Sequence, residues 1–457
     1  MMSNKSESAE KLAPSFGPDA HSVWVAAKEV HRLSPASGVD LDPTEDAYPA
    51  AFCTAPPGNY KFKVVLDVDH NFAYSDDASD GDLVGTAEQQ LEPSSNQKIS
   101  IMLSGRKSEP PLQPPPRTEI FDFVSPKLTN FWGRPIHMHG AVVLPPGYSA
   151  GNSHYPTVYL THGFGGNLRY LVQRVAANTN KLMDERKIPE MIWVMLLEAF
   201  PTGTHEFADS VNNGPWGQAL TEELIPDLEK KYRMDAKPSG RFLTGHSSGG
   251  WAALWTQVSH PEFFGGTWPT APDTVDFRNF VGIDLTKRPL ENFYRKEDGA
   301  LRMFIRMGGS DTQSLQDLEQ QENVLGEYGG QLASFNWVFS PRGQDGRPMR
   351  MFDIYSGAID PDVAQYWEDH YDVANLLRKN WEKIGPQING KIHLTVGTAD
   401  TFHLDEPVRL LEQTIKDLGG QASFTYAEGR SHFDLYEGGL TERIAKEMYA
   451  IARPEKH

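Results

Sequence analysis

The feature that most constrains this chain is Gly245-His246-Ser247-Ser248-Gly249. It follows a short apolar run, Arg241-Phe242-Leu243-Thr244, and precedes an apolar-periodic stretch, Trp251-Ala252-Ala253-Leu254-Trp255. The pattern predicts a strand, a sharp turn and a helix. A serine on such a turn is held with its Oγ exposed and its backbone strained. Small glycines on either side let strand and helix pass close together. Gly-x-Ser-x-Gly is also a frequent arrangement of frequent residues, so its meaning depends on what else the chain supplies, and in which order.

A serine hydroxyl needs a base to become a nucleophile, and the base needs an acid to hold its tautomer and stabilise its protonated form. Downstream, Lys391-Ile392-His393-Leu394-Thr395-Val396 alternates like a strand and runs through Gly397 to Asp400. A second strand-like run, Ala422 to Tyr426, leads into Gly429-Arg430-Ser431-His432-Phe433, ahead of a C-terminal helix over Thr441 to Ala452. Ser247, Asp400 and His432 thus fall on loops at one edge of a predicted parallel sheet, where open α/β sheets keep their chemistry. Asp311 is a rival acid. Met307 to Thr312, then Gly329 to Phe335, echoes Gly397 to Thr401, then Gly419 to Phe424, and both read as strand, Asp, helix, strand. Chain order favours Asp400, because only it is followed one strand later by a loop histidine.

Upstream, Pro156-Thr157-Val158-Tyr159-Leu160-Thr161 reads as a buried strand entering His162-Gly163-Phe164-Gly165-Gly166. A glycine-rich loop there can lend a backbone N–H to a developing oxyanion. The expected donors are the amides of Phe164 and of Ser248, the residue after the serine.

The 457 residues suffice for two domains. Residues 1–20 are mostly polar and are expected to lack structure. Over 21–105, strand-like runs (Ser22 to Ala26, Tyr60 to Asp67, Lys98 to Leu103) predict a small all-β domain. Prolines crowd 106–117 and predict a stiff linker. From 118 to 457 strands alternate with helices, the mark of an α/β fold with a mostly parallel sheet covered on both faces. Its elements include a strand from Ile136 to Leu144, another over Met191 to Leu197, and a helix over Leu220 to Tyr232. The single cysteine, Cys53, excludes an intrachain disulfide and is expected to be buried or half-buried. A net charge of −18 argues against nucleic acid and anionic membranes as partners. No apolar secretory segment opens the sequence, so as written it reads as cytoplasmic. A trimmed precursor would make it periplasmic or extracellular.

These residues resemble the esterase D-like branch of the α/β-hydrolases, which includes enterochelin esterases, feruloyl and acetylxylan esterases, S-formylglutathione hydrolases and mycolyltransferases. The carrying segments are Leu144 to Tyr148, His162 to Gly166, Thr221 to Pro226, the Gly245 turn, His260 to Phe264, Gly397 to Asp400 and Gly429 to His432. The resemblance implies an α/β-hydrolase fold, Ser247 as nucleophile, Asp400 as acid, His432 as base, and Phe164 with Ser248 at the oxyanion hole. A β-rich module ahead of the hydrolase is similar to the enterochelin esterase arrangement.

Other signals are weaker. His137 and His139 share one face of a strand and can ligate a metal, but no carboxylate-rich motif accompanies them. Asp67-Val68-Asp69-His70-Asn71 opens like a calcium loop. Phe72 stands where its turn glycine belongs and Ala78 where its bidentate Glu belongs. The further acids Asp76, Asp77, Asp80 and Asp82 read as a solvated loop, so no metal is expected. Trp216 and Trp268 are candidate substrate-binding residues. The long stretch from Asp273 to Gly390, with Tyr294, Trp337, Trp367, Tyr371 and Trp381, reads as a side wall or as core. The sequence therefore predicts a cofactor-independent serine esterase acting through an acyl-enzyme on a small or carbohydrate-linked ester, its oligomeric state open. The rivals are an acyltransferase, a siderophore esterase, a serine peptidase and a non-catalytic binding protein.

Overall fold

The computed structural model describes residues 1–34, 37–44, 46–70, 78–92, 98–326 and 328–454. Eight strands form the main sheet: β1 (Thr118–Val124), β2 (His137–Val143), β3 (Thr157–Thr161), β4 (Ile192–Leu196), β5 (Arg241–His246), β6 (Gly266–Thr270), β7 (His393–Gly397) and β8 (Ser423–Ala427). Their spatial order is β8-β7-β6-β5-β3-β4-β2-β1. From β8 to β4 every neighbouring pair is parallel, and β2 runs antiparallel to both β4 and β1. After β4 the chain crosses back over β3 to lay down β5. The order reverses there, and clefts open beyond the carboxyl ends of strands at such a point.

The helices that matter below are α1 (Ile225–Lys231), α2 (Ser248–Ser259), α3 (Leu315–Leu325), α4 (Gln331–Phe339), α5 (Pro361–Tyr371), α6 (Val373–Ile388), α7 (Asp405–Asp417) and α8 (Leu440–Ala452). Both sheet faces are covered, which explains why β4, Ile-Trp-Val-Met-Leu, is apolar without interruption and buried throughout. Trp193 and Met195 enter one core with α2, α5, α6 and α8. Ile192, Val194 and Leu196 enter the other with Leu220, Leu224, Ile225 and Leu228. Each large side chain so enclosed stabilises the fold by about 1.5–3 kcal/mol relative to exposure. Tyr294, Trp367 and Tyr371 are buried in the first core, so these wall aromatics are packing groups, with Trp381 half-buried against them.

The N-terminal region forms a separate small sheet in which Gly58–Leu66 and Leu83–Leu91 pair antiparallel over nine residues, flanked by Met2–Ser3 and Gly105–Arg106. Four expectations need correction. Residues 1–20 are ordered: Met2–Ser3 adds to the strand at Lys61 and Phe62, and Met2, Ala9, Leu12 and Ala20 are buried while Phe16 stays exposed. Lys98 to Leu103 is not a strand, although Ile99 and Ile101 pack on the small sheet. Cys53 is exposed, on a surface 3-10 turn over Phe52–Thr54. Gly329 to Phe335 is not a second strand but opens α4, because Leu332, Phe335, Val338 and Phe339 recur at helical spacing.

Candidate active site

Ser247 stands between β5 and α2 with φ 59° and ψ −125°, a conformation that costs a non-glycine residue about 1–3 kcal/mol. The surroundings enforce it. Its N–H donates to Thr270 O at 3.0 Å, and its carbonyl accepts from Trp251 N at 3.0 Å and from Asp273 N at 3.2 Å. The flanking glycines allow the close crossing. A Cβ on Gly249 would lie 2.5 Å from His162 O, and one on Gly245 would meet the Gly249 carbonyl. The serine itself is half-buried.

The loops after β7 and β8 bring Asp400 and His432 together. His432 Nδ1 lies 2.9 Å from Asp400 Oδ2, and both residues are buried. Asp400 Oδ1 accepts from the amides of Phe402 at 2.9 Å and Leu404 at 3.3 Å. Burial alone raises this carboxyl, but the His432 contact and the two amides outweigh it, leaving the pKa below the ordinary aspartate value. Arg306 Nη2 donates to the Asp400 backbone carbonyl at 2.8 Å, steadying the loop. Phe402 and Phe433 stand edge-on to the imidazole, with ring centroids 4.8 and 5.4 Å away, and Phe433 is exposed. Asp311 lies elsewhere, on a hairpin of Met303–Met307 with Ser310–Ser314, against His403 at 3.4 Å.

Ser247 does not bond to His432 here. Its Oγ donates to Asp273 Oδ1 at 3.3 Å, on the loop after β6. Asp273 Oδ2 accepts from Ser248 Oγ at 2.7 Å and Gln331 Nε2 at 3.2 Å. Ser248 opens α2, so its N–H has no intrahelical acceptor. The His162 loop lies against the turn, for a Cβ on Gly163 would stand 2.9 Å from Ser247 Cβ. His162 is buried and its pKa falls to about 4, chiefly by desolvation. Nδ1 donates to Gly163 O at 2.7 Å and Nε2 accepts from Glu198 N at 2.8 Å, which fixes the neutral tautomer and the loop.

Trp216 and Trp268 are not pocket walls. Each is 1% exposed. Trp216 stacks on His205 at 3.6 Å and donates to Asn213 O, while Trp268 stacks on His393 and donates to Glu447 Oε2 of α8 at 2.7 Å. Both sequence-based binding assignments are corrected by this packing. The sequence assigns no role to Glu198 or Glu206, two fully buried acids on the loop after β4. Burial pushes both far above the ordinary glutamate range, and Asp273 adds to each shift. One signal was present: Glu198 ends an otherwise unbroken apolar run.

Outside this edge, His137 Nδ1 lies 2.5 Å from Asp122 Oδ1 on β1, with the His139 ring stacked alongside. Asp82 of the calcium-like stretch is buried and accepts from Val68 N and Ser79 N. Asn71, Phe72, Asp76 and Asp77 lie outside the described residues. Among the described residues no helix is long and apolar enough to cross a membrane.

Comparison with known proteins gives one curated relative, the uncharacterised protein YbbA of Bacillus subtilis (strain 168), 24% identical over 133 residues. The match spans 27% of this chain and about half, 51%, of that relative. Among solved structures, a ferulic acid esterase is similar at 16% identity, covering 73% of this chain and 98% of that one with a TM-score of 0.47. An S-formylglutathione hydrolase from Agrobacterium tumefaciens is similar at 14% identity, covering 72% and 94% with a TM-score of 0.42. A family model described as "Putative esterase" matches residues 135–444, more than half of the chain and every strand from β2 to β8. The chain belongs to this esterase family of enzymes.

Proposed function

We propose that the protein is a cofactor-independent serine carboxylic-ester hydrolase. Ser247 is the nucleophile, His432 the base and Asp400 the orienting acid, with the amides of Phe164 and Ser248 as oxyanion donors. The observation that carries this reading is the 2.9 Å contact between His432 Nδ1 and Asp400 Oδ2, on loops beside a half-buried serine in a strained turn. The contact directs Nε2 away from the acid as the proton acceptor. A rotation about Ser247 χ1 exchanges Asp273 for that nitrogen. The alkoxide oxygen then bonds to the ester carbonyl carbon as Nε2 takes the hydroxyl proton. Collapse of the tetrahedral intermediate expels the alcohol, which receives the proton from the imidazolium. Water, deprotonated by His432, splits the acyl-enzyme and regenerates Ser247.

The substrate is a small or carbohydrate-linked ester, with Phe402 and Phe433 placed to touch it beside His432. A catecholate siderophore fits poorly. No Lys or Arg among the described residues pairs with Asp273, Glu198 or Glu206, so the ground beside Ser247 is acidic. The test is hydrolysis of a short-chain p-nitrophenyl ester series beside methyl ferulate and a catecholate trilactone, with Ser247→Ala as blank. The series is cleaved by the parent protein and not by the variant. Cleavage that survives in the variant overturns the reading. Added alcohols separate hydrolysis from acyl transfer, because a transferase partitions its acyl group to alcohol in preference to water.

A further inference from the structure

Three carboxyl groups beside Ser247 have no part in the chemistry above. Asp273 is half-buried and reaches the serine directly, its Oδ1 accepting from Ser247 Oγ at 3.3 Å. Glu198 and Glu206 are fully buried behind it. The carboxyls of Glu198 and Glu206 lie within hydrogen-bonding reach of each other, and Thr204 Oγ1 lies 3.4 Å from Glu206 Oε1. Among the described residues no lysine or arginine forms an ion pair with any of the three. The charged groups acting on Asp273 are His432, Asp400, Glu198 and Glu206. Gln331 and Ser334 of α4 close the far side, Gln331 donating to Asp273 Oδ2 at 3.2 Å and Ser334 Oγ lying 3.4 Å from Thr204 Oγ1.

Buried carboxyls without donors are costly to keep. Asp273 links this carboxyl pair to the reacting centre, and no cation is paired to it among the described residues. Burial raises all three groups, and a positive charge beside them favours their ionised forms. A cation arriving from outside meets Asp273 first, the half-buried member of the three and the one that reaches the serine.

We propose that Asp273, backed by Glu198 and Glu206, is an anionic subsite that binds a protonated amine carried by the ester substrate. The proposal rests on the reading of Ser247 as nucleophile. The ammonium N–H groups take the place of the Ser247 hydroxyl at Asp273 Oδ1. The freed hydroxyl turns to His432, so binding the correct substrate also arms the serine. Esters bearing a carboxylate near the scissile bond gain no such contact.

The test compares two butyrate esters of similar shape: the 2-(dimethylamino)ethyl ester, protonated at neutral pH, and its carbon counterpart, the 3-methylbutyl ester. Release of acid is followed for the parent protein, Asp273→Asn, Glu198→Gln and Ser247→Ala. The parent protein favours the cationic ester in kcat/KM by about 10- to 100-fold, the range of a charge-assisted hydrogen bond. The ratio falls about tenfold or more in Asp273→Asn and by a smaller factor in Glu198→Gln. A ratio near one in the parent protein overturns the proposal, and that measurement needs no variant to fold. So does a ratio that stays high in both carboxamide variants. In either case Ser247-dependent cleavage of the neutral ester leaves the esterase reading standing. Cleavage of both esters by Ser247→Ala overturns that reading instead.

Discussion

The Ser247 hydroxyl is bonded to Asp273 Oδ1 at 3.3 Å and not to the imidazole of His432. The serine follows β5 and the aspartate follows the adjacent β6, whereas His432 reaches in from β8 at the sheet edge. On the proposed mechanism, attack requires the serine to leave one partner for another.

Two substitutions at Ser247 separate chemistry from strain. Ser247→Ala and Ser247→Gly both lose ester hydrolysis by about four orders of magnitude or more. Ser247→Gly is the more stable of the two by about 1–3 kcal/mol, because glycine alone accepts φ 59° with ψ −125° without penalty. Urea unfolding of the two variants side by side measures the difference. Equal midpoints remove strain from the account of this turn.

Asp400→Asn lowers kcat by about 10⁴-fold, because an amide no longer holds the imidazole in its productive tautomer. Asp311→Asn, which alters an exposed contact with His403, stays within a few-fold of the parent protein. Steady-state kinetics on one p-nitrophenyl ester decide between them, and the reverse order makes Asp311 the acid.

Glu198→Gln stabilises the protein, more so at high pH. The folded-state pKa of Glu198 lies well above the ordinary value of 4.5, so above that pH the native state holds a proton that the unfolded chain has released. The contribution of Glu198 to stability is thus fullest below pH 4.5 and declines as pH rises toward the folded pKa. Glutamine carries no such dependence. The variant gains about 1–3 kcal/mol over the parent protein at pH 8 and less at pH 5, as read from urea midpoints. A gain that is the same at both pH values removes the titration of Glu198 from the explanation.

Gly163→Ala impairs activity with little loss of stability. The added methyl meets Ser247 Cβ at 2.9 Å and His246 O at 3.0 Å, both fixed by the turn. Displacing the oxyanion loop or the serine by a fraction of an ångström costs about tenfold to a hundredfold in kcat. Melting temperature and kcat measured together distinguish this from general unfolding.

The sheet was legible because its strands obey simple rules. β4 is apolar throughout and buried on both faces, β7 alternates before a glycine, and Gly245 to Gly249 admits few conformations besides a tight crossing. The pairing of Asp400 with His432 followed from chain order. What escaped notice depends on contacts between distant segments. The run from Trp268 to Asp273 is legible as a strand end at the mouth of the pocket, but the bond from Ser247 to Asp273 is not, since it spans two loops of different strands. Nothing in the sequence beyond the end of an apolar run marks Glu198 and Glu206, which the fold encloses completely. Gly329 to Phe335 repeats the wording of Gly419 to Phe424, yet its leucine and phenylalanines continue at helical spacing and it became α4. Trp216 and Trp268 carried the right chemistry for a binding wall and were consumed by packing.

The first 34 residues have a bearing on how this protein can be handled. Leu12, Val23, Val25 and Tyr48 pack with Val324 of α3. Gly17 N donates to Gln313 Oε1 at 2.9 Å, and Gln321 Nε2 donates to Ser15 O at 3.2 Å. The leading segment thus grips a part of the hydrolase laid down some three hundred positions later. A fragment starting at residue 118 would bare that greasy patch, and it is expected to be recovered as aggregate where the longer polypeptide stays in solution.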